Sequence, residues 1–128
     1  MRIIGGNLKG REISFLSNSN TRPLKDSVKE NVFNILNHSN LLEAKIENSC
    51  ILDLYSGIGS FGIECLSRGA KNVTFIEQDE EIVKILKNNL TRLLIINKTK
   101  IRNEKIENFL IKKTKKKYDI FFFDPPFR

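Results

Sequence analysis

Cys50-Ile51-Leu52-Asp53-Leu54-Tyr55-Ser56-Gly57-Ile58-Gly59-Ser60-Phe61-Gly62 is the stretch that decides the fold of this chain. Cys50, Ile51 and Leu52 run apolar without alternation, the pattern of a strand buried on both faces. Asp53 follows at the carboxyl end, and Gly57, Gly59 and Gly62 punctuate a turn into a helix expected over residues 60–68. Phe61, Ile63, Cys65 and Leu66 take up most of that helix's circumference, so it is expected to be largely buried. Gly69 suits the left-handed residue that stops it. Strand, glycine turn and helix in this order make a crevice at the strand's carboxyl end that fits a nucleotide-like ligand.

Toward the carboxyl terminus the same alternation repeats. Residues 72–76 read as a second strand, ending in Glu77. Asp79 or Glu80 opens a helix in which Ile82, Ile85, Leu86, Asn89 and Leu93 trace a 3.6-residue stripe. A short third strand near 100–102 precedes a helix from about Glu104, with Ile106, Phe109 and Leu110 as its expected buried face. The basic run 112–117 suits the negative end of that helix's dipole and reads either as a solvated surface or as an RNA contact. Residues 118–123 form a fourth strand that is apolar on both faces and so expected to be central. It delivers Asp124-Pro125-Pro126-Phe127 to the same edge as Asp53 and Glu77. Strand and helix alternate throughout, which predicts a doubly wound, mostly parallel α/β sheet.

Toward the amino terminus, Arg2-Ile3-Ile4-Gly5-Gly6 and Lys9-Gly10-Arg11, running on to Ile13 and Phe15, suggest a small hairpin with basic residues at its bend. Thr21-Arg22-Pro23 leads into a helix capped by Asp26 or Ser27, with Val28, Val32, Ile35 and Leu36 on one face. Residues 41–46 read as a short helix or loop. Residues 1–40 are therefore expected to be an extension carrying a hairpin and a helix, and 41–128 the α/β domain.

The chain of 128 residues carries a formal charge of +7, from 22 Lys and Arg against 15 Asp and Glu. That surplus favours an anionic partner, nucleic acid above all. The abundance of Lys, Asn and Ile also fits the bias of an AT-rich genome. Cys50 and Cys65 fall in apolar elements and read as small buried hydrophobes, not as a disulfide or metal pair, and no metal site is expected. His38 reads as a surface residue. No stretch is long enough to cross a bilayer and the amino terminus lacks a signal peptide's apolar core, so no membrane partner and a cytoplasmic location are expected.

The glycines alone leave the ligand open. Gly57, Gly59 and Gly62 satisfy G-x-G-x-x-G, and Glu77 lies at the spacing of a ribose-binding acid, so a dinucleotide is a legal reading. Against it, a carboxylate at Asp53 would repel a pyrophosphate and attract an ammonium group. Asp124-Pro125-Pro126-Phe127 narrows the chemistry further. Two prolines remove two backbone donors and stiffen the turn, leaving a carboxylate and carbonyls as acceptors for an amino group. An exocyclic base amine is a poor nucleophile because its lone pair is delocalised into the ring. Hydrogen bonds to Asp124 and the Pro125 carbonyl would favour the tetrahedral geometry in which it attacks, with Phe127 stacked on the base. Such a base must be unpaired or swung out of its helix.

Asp53-x-x-x-Gly57-x-Gly59 resembles motif I of S-adenosylmethionine-dependent methyltransferases. The whole chain resembles the RsmD-type methyltransferases of small-subunit ribosomal RNA. That likeness rests on Arg2 to Gly6 with Gly10-Arg11, and on Thr21-Arg22-Pro23 with Asp26, Val28, Glu30, Phe33 and Asn34. It rests also on Asp53 to Gly62 with Leu66-Ser67-Arg68-Gly69-Ala70, and on Asp124 to Phe127. The resemblance implies a Rossmann-like methyltransferase fold, with 41–128 a partial methyltransferase domain and the 1–40 extension binding RNA. The activity implied is methyl transfer from S-adenosyl-L-methionine to a guanine N2 in 16S-type rRNA. It implies Asp124, Pro125, Pro126 and Phe127 as catalytic residues. Asp53, Tyr55, Ser56, Gly57, Gly59, Glu77, Gln78, Lys105 and Ile106 would line the cofactor site, and Arg2, Lys9, Arg11 and Arg22 would grip the RNA. Two departures stand out. Lys105 occupies the position where an acceptor for the adenine amine is expected, a role open to Glu104, Asn103 or backbone. The chain also stops at Arg128, so the carboxyl-terminal strands are expected to be missing and the fourth strand to be exposed or paired with another chain. The competing readings are an amine methyltransferase acting on adenine N6 of DNA or on a protein glutamine, and a non-catalytic RNA-binding remnant.

Overall fold

The computed structural model describes residues 1–15, 46–112 and 117–123. The expected helix after Pro23, Arg22 itself, residues 41–45 and 113–116, and Asp124 to Phe127 lie outside the described residues.

Four parallel strands form one sheet in the order β3-β2-β1-β4: β1 is Cys50–Leu54, β2 Asn72–Ile76, β3 Thr99–Arg102 and β4 Ile120–Phe123. The crossovers are α1 (Ser60–Ser67), α2 (Glu80–Arg92) with a 3-10 turn at Ile96–Lys98, and α3 (Ile106–Ile111). Register explains how the sheet is buried. Ile51 pairs with Val73 and Ile120, and Asp53 with Phe75 and Phe122, so these residues share one face. There they join Phe61, Ile63, Cys65, Ile82, Leu86 and Leu90 of α1 and α2 in the larger apolar cluster. Leu52, Leu54 and Ile76 point to the other face, where Ile106 of α3 covers them. Helices thus pack on both faces, as a doubly wound sheet requires.

The helix boundaries follow local chemistry. The backbone of α1 ends as a Schellman motif, with Gly69 at φ +99° and the Ala70 N–H donating to the Cys65 carbonyl at 2.9 Å. Asp79 caps α2, its Oδ1 accepting from the N–H of Glu81 at 2.9 Å and of Ile82 at 3.4 Å.

Three expectations need correction. The hairpin shrinks to a single antiparallel bridge between Arg2 and Glu12, because the intervening Gly5–Gly10 bend folds back onto α1 instead of extending a ladder. Leu110 is 59% exposed rather than buried, since α3 is under two turns long and presents only Ile106 fully to the sheet. The apolar fourth strand, read as central from its pattern, is an edge among the described residues, exposed as the resemblance implied. It has β1 on one side only, and Phe121 and Phe123 stay 62% and 59% exposed.

Ile3 and Ile13 belong to the larger cluster, so the described amino-terminal segment packs on the same core as the sheet.

Candidate functional site

The site lies where β1 and β2 end. Beyond Leu54 the backbone enters the left-handed region at Tyr55 (φ 55°), Gly57 (φ 55°) and Gly59 (φ 92°). Tyr55 tolerates that conformation at a cost, and its ring is held edge-on against Phe123, with centroids 5.3 Å apart. The Ser56 N–H donates to the Ile76 carbonyl at 3.0 Å and the Gly59 N–H to the Ser56 carbonyl at 2.9 Å, closing the turn over the end of β2. Two glycines are required by space. A Cβ on Gly59 would lie 2.4 Å from Leu86 Cδ1, and one on Gly62 would lie 2.3 Å from the Phe75 ring. The turn therefore sits directly on α2 and β2.

Asp53 is 1% exposed, and its Oδ2 accepts from the Gly62 N–H at 3.2 Å. The carboxylate is thereby engaged at the first turn of α1, and its negative charge lies within the strand–turn–helix junction. Cys65 feels it: burial first, then Asp53 and Glu64, push this thiol well above its ordinary range, with Arg68 pulling the other way.

Glu77 ties the acidic end of β2 to the glycine turn. Its Oε1 accepts from the Gly57 N–H at 2.9 Å and its Oε2 from the Asp79 N–H at 3.0 Å. A carboxylate offers about four lone-pair positions, so acceptor capacity remains for hydroxyl donors. The Asn103 side chain, at the end of β3, donates to the carbonyls of Glu77 and Gln78 at 3.0 and 3.1 Å and fixes the backbone beneath them. Gln78 itself is exposed. Ser56 supplies an observation that bears on a ligand: its Oγ is buried without a hydrogen-bond partner, in the middle of the turn. An unmet buried hydroxyl, a half-buried carboxylate and glycine backbone at one sheet edge suit a ligand with hydroxyls and an ammonium group.

On the far side, Lys105 is exposed at the N-terminal cap of α3, and Ile106 is buried on the sheet. Glu104 accepts from Lys112 Nζ at 2.8 Å, and Asn103, which is exposed, donates its amide to the β2 loop. The structure brings Asp53, Tyr55, Ser56, Gly57, Gly59, Glu77 and Gln78 to one edge. Arg2, Lys9 and Arg11 lie exposed on the amino-terminal segment. Among the described residues no cluster of His, Cys, Asp and Glu could hold a metal, and no helix is long and apolar enough to cross a membrane.

Three residues that matter to this arrangement were not foreseen in these roles: Asn103, Glu64 and Asn89. Glu64 left a trace, as the one acid on a helix expected to be buried nearly all round. Asn89 lay on the apolar stripe of α2. Asn103 was named from the sequence as a candidate acceptor for the adenine amine, and its hold on the Glu77 and Gln78 carbonyls is what went unforeseen.

Sheet order and crossovers define a Rossmann-like fold of the methyltransferase class. The structure of yhhF from Escherichia coli superposes with a TM-score of 0.84 at 34% identity, covering 100% of this chain and 65% of that one. A Haemophilus influenzae protein named as a methylase gives a TM-score of 0.75 at 35% identity over 99% of this chain and 65% of its own. The profile of the family described as Conserved hypothetical protein 95 matches residues 1–128, and the chain belongs to that family, the RsmD family. A Buchnera aphidicola protein named ribosomal RNA small subunit methyltransferase D is 40% identical over 98% of this chain and 62% of its own length. The Escherichia coli K12 protein of the same name is 36% identical over 100% of this chain and 61% of its own. This chain therefore spans a little over three fifths of the curated relatives it matches.

Proposed function

We propose that this protein takes part in methyl transfer from S-adenosylmethionine to the exocyclic N2 of a guanine in small-subunit ribosomal RNA. The observation that carries the reading is Glu77 joined to the Gly57 N–H at the mouth of the glycine turn, in a chain whose relatives bear the name of that activity. The relatives favour this over transfer to adenine N6 or a protein glutamine, and over a non-catalytic RNA-binding role.

Glu77 accepts the ribose hydroxyls, using the lone pairs its two backbone contacts leave over. Ser56 Oγ and the Gly57–Gly59 backbone meet the methionine end, and Asp53 sets the electrostatics of the junction that favours its ammonium. Asn103 Oδ1 offers the acceptor for the adenine amine that Lys105 cannot supply. S-adenosylmethionine, when bound, supplies an electrophilic methyl group on a sulfonium. Asp124 follows Phe123 directly in sequence, and Phe123 pairs with Leu54 at the start of the turn. In this reading the Asp124 carboxylate and the Pro125 carbonyl hold the guanine amine, Pro126 stiffens the turn and Phe127 stacks on the base. Orientation carries most of the rate, and the nitrogen sheds its proton once methylated, so no strong base is needed. Lys9, Arg11, Arg2 and Arg22 contact the RNA backbone. A cytoplasmic location goes with that substrate.

Calorimetry and transfer of a labelled methyl group to unmodified small ribosomal subunits test the proposal together. Wild-type protein should bind S-adenosylmethionine and label the 16S-type rRNA. Glu77→Ala should weaken cofactor binding by about tenfold or more, the worth of a lost charge-assisted contact. Asp124→Ala should keep cofactor binding and lose transfer. Binding that is indifferent to Glu77→Ala, or label appearing in DNA or protein instead, sinks it.

A further inference from the structure

The amino-terminal segment is fastened to the cofactor-site elements at two points. Glu64, fully buried on α1, accepts from the Ile4 N–H at 2.9 Å through Oε1, and from the Gly5 N–H and Arg68 Nε at 2.8 Å each through Oε2. Ser67, one turn on, accepts from the Leu8 N–H at 2.9 Å and donates to the Gly5 carbonyl at 2.5 Å. A Cβ on Gly6 would fall 1.9 Å from the Ser67 carbonyl oxygen, so segment and helix touch backbone to backbone. The second fastening is Asn89 on α2, also fully buried. Its Oδ1 accepts from the Ser14 N–H at 3.0 Å, and its Nδ2 donates to the Ser14 carbonyl at 3.0 Å and to the Ile58 carbonyl at 3.4 Å. Ile58 stands between Gly57 and Gly59, so one amide joins the segment to the glycine turn. Arg92 adds a 2.6 Å donation to the Glu12 carbonyl.

Between these fastenings the segment carries Lys9 and Arg11 outward, around Gly10, whose surroundings are open. A buried carboxylate is costly unless paired and hydrogen-bonded, and an apolar side chain would fill the space of Glu64 more cheaply. An apolar residue would leave the two segment amides unmet as well as Arg68, so the acid serves the segment in addition to its own helix. We propose that Glu64 and Asn89 are positioning residues for RNA: they lock the segment bearing Lys9 and Arg11 onto the helix and turn of the cofactor crevice, so that the two binding surfaces keep one geometry. The inference rests on the RNA-methyltransferase reading above.

Affinities for S-adenosylmethionine and for a 16S rRNA transcript test it in wild type, Glu64→Gln, Lys9→Ala/Arg11→Ala and the triple variant. Gln keeps the shape of Glu64 but turns one acceptor into a donor facing an N–H. Releasing the segment lowers the fraction of protein competent for RNA, so Glu64→Gln should weaken RNA binding about tenfold and leave S-adenosylmethionine binding within about twofold. In the Lys9→Ala/Arg11→Ala background Glu64→Gln should cost much less, only what remains through Arg2 on the same segment, because its effect acts through the basic side chains that the segment carries. Should Glu64→Gln fail to fold, Ser67→Ala frees the Leu8 N–H and is read in the same way. Equal losses for cofactor and RNA, or additive losses in the triple variant, overturn the inference alone. A wild-type protein that binds S-adenosylmethionine and no RNA overturns the functional reading along with it.

Discussion

Leu94 shows how a single residue can work against its own backbone. It follows α2 at φ 61°, in a Schellman arrangement with its N–H on the Thr91 carbonyl at 3.1 Å and the Ile95 N–H on the Leu90 carbonyl at 3.0 Å. That position favours glycine, and the leucine side chain is 85% exposed, so it contributes little packing in return. Leu94→Gly should therefore stabilise the fold by about 1 kcal/mol, the usual cost of a left-handed non-glycine residue, and raise the melting temperature by roughly 3–5 °C. A lower melting temperature would mean that the side chain packs in a way its exposure does not reveal. Cys65 makes a prediction in pH. Its thiol is raised by burial first and by Asp53 and Glu64 after that, so the fold holds this proton more tightly than the unfolded chain does. Below the unfolded value of about 8.5 both states are protonated; as pH rises past it the unfolded chain ionises first, and stability is lost progressively until the folded thiol titrates too. Melting curves between pH 7 and 10 should show wild type falling more steeply than Cys65→Ala, after allowance for the constant cost of the smaller side chain. Parallel curves would remove the thiol from the account.

Between elements, the joint of α1 with β2 sets the crevice, and Gly62 is its tightest point. Alanine in place of a helical glycine gains at most about 1 kcal/mol from propensity, and less in a first turn such as that of Gly62. Here the added Cβ would meet the Phe75 ring at 2.3 and 2.6 Å and Val73 Cγ1 at 2.9 Å, and both neighbours are fully buried. Overpacking of that kind costs about 1–3 kcal/mol, so the clash outweighs the propensity and Gly62→Ala should be destabilising by denaturant unfolding. The same joint shows what could be read from the chain. An unalternated apolar run, a glycine turn and a striped helix announce β1, α1, β2 and α2, because each is dictated by neighbours within a few residues. The place of Glu77 on the same edge as the glycine turn was legible, but its bond to the Gly57 N–H was not. The grip of Glu64 on Ile4 and Gly5 spans about 60 positions, and that of Asn89 on Ser14 spans 75, so no local pattern carries them. Leu110 and the central place given to β4 were misjudged for a related reason, though the exposure of β4 was expected: apolar side chains announce a wish for cover but not whether a neighbouring element supplies it.

At the scale of the whole molecule, two opposed surface properties meet. Phe121 and Phe123 on β4 stand 62% and 59% exposed, and Leu110 and Ile111 on α3 stand 59% and 81% exposed, all on elements of the less covered side of the sheet. Tyr118 packs edge-on against Phe121 at 5.8 Å, as Tyr55 does against Phe123, so two aromatic pairs stand along a strand edge that has no partner among the described residues. An exposed apolar edge strand invites pairing with another chain. Against this stands a net charge of +7, which makes identical chains repel. The two effects respond to salt in opposite ways. The Debye length falls from about 10 Å at 0.1 M to about 3 Å at 1 M, so salt removes the repulsion and leaves the apolar attraction. A solution of the 128-residue chain should therefore self-associate in a concentration-dependent manner, more strongly at high salt, when its mass is followed by light scattering against the 14.8 kDa expected of one chain. Phe121→Lys combined with Ile111→Lys should return it toward a single chain at every salt concentration with little change in melting temperature, because both side chains are mostly solvated already. A wild-type chain that stays at 14.8 kDa through both series would show that the rings and the strand edge find no partner in one another.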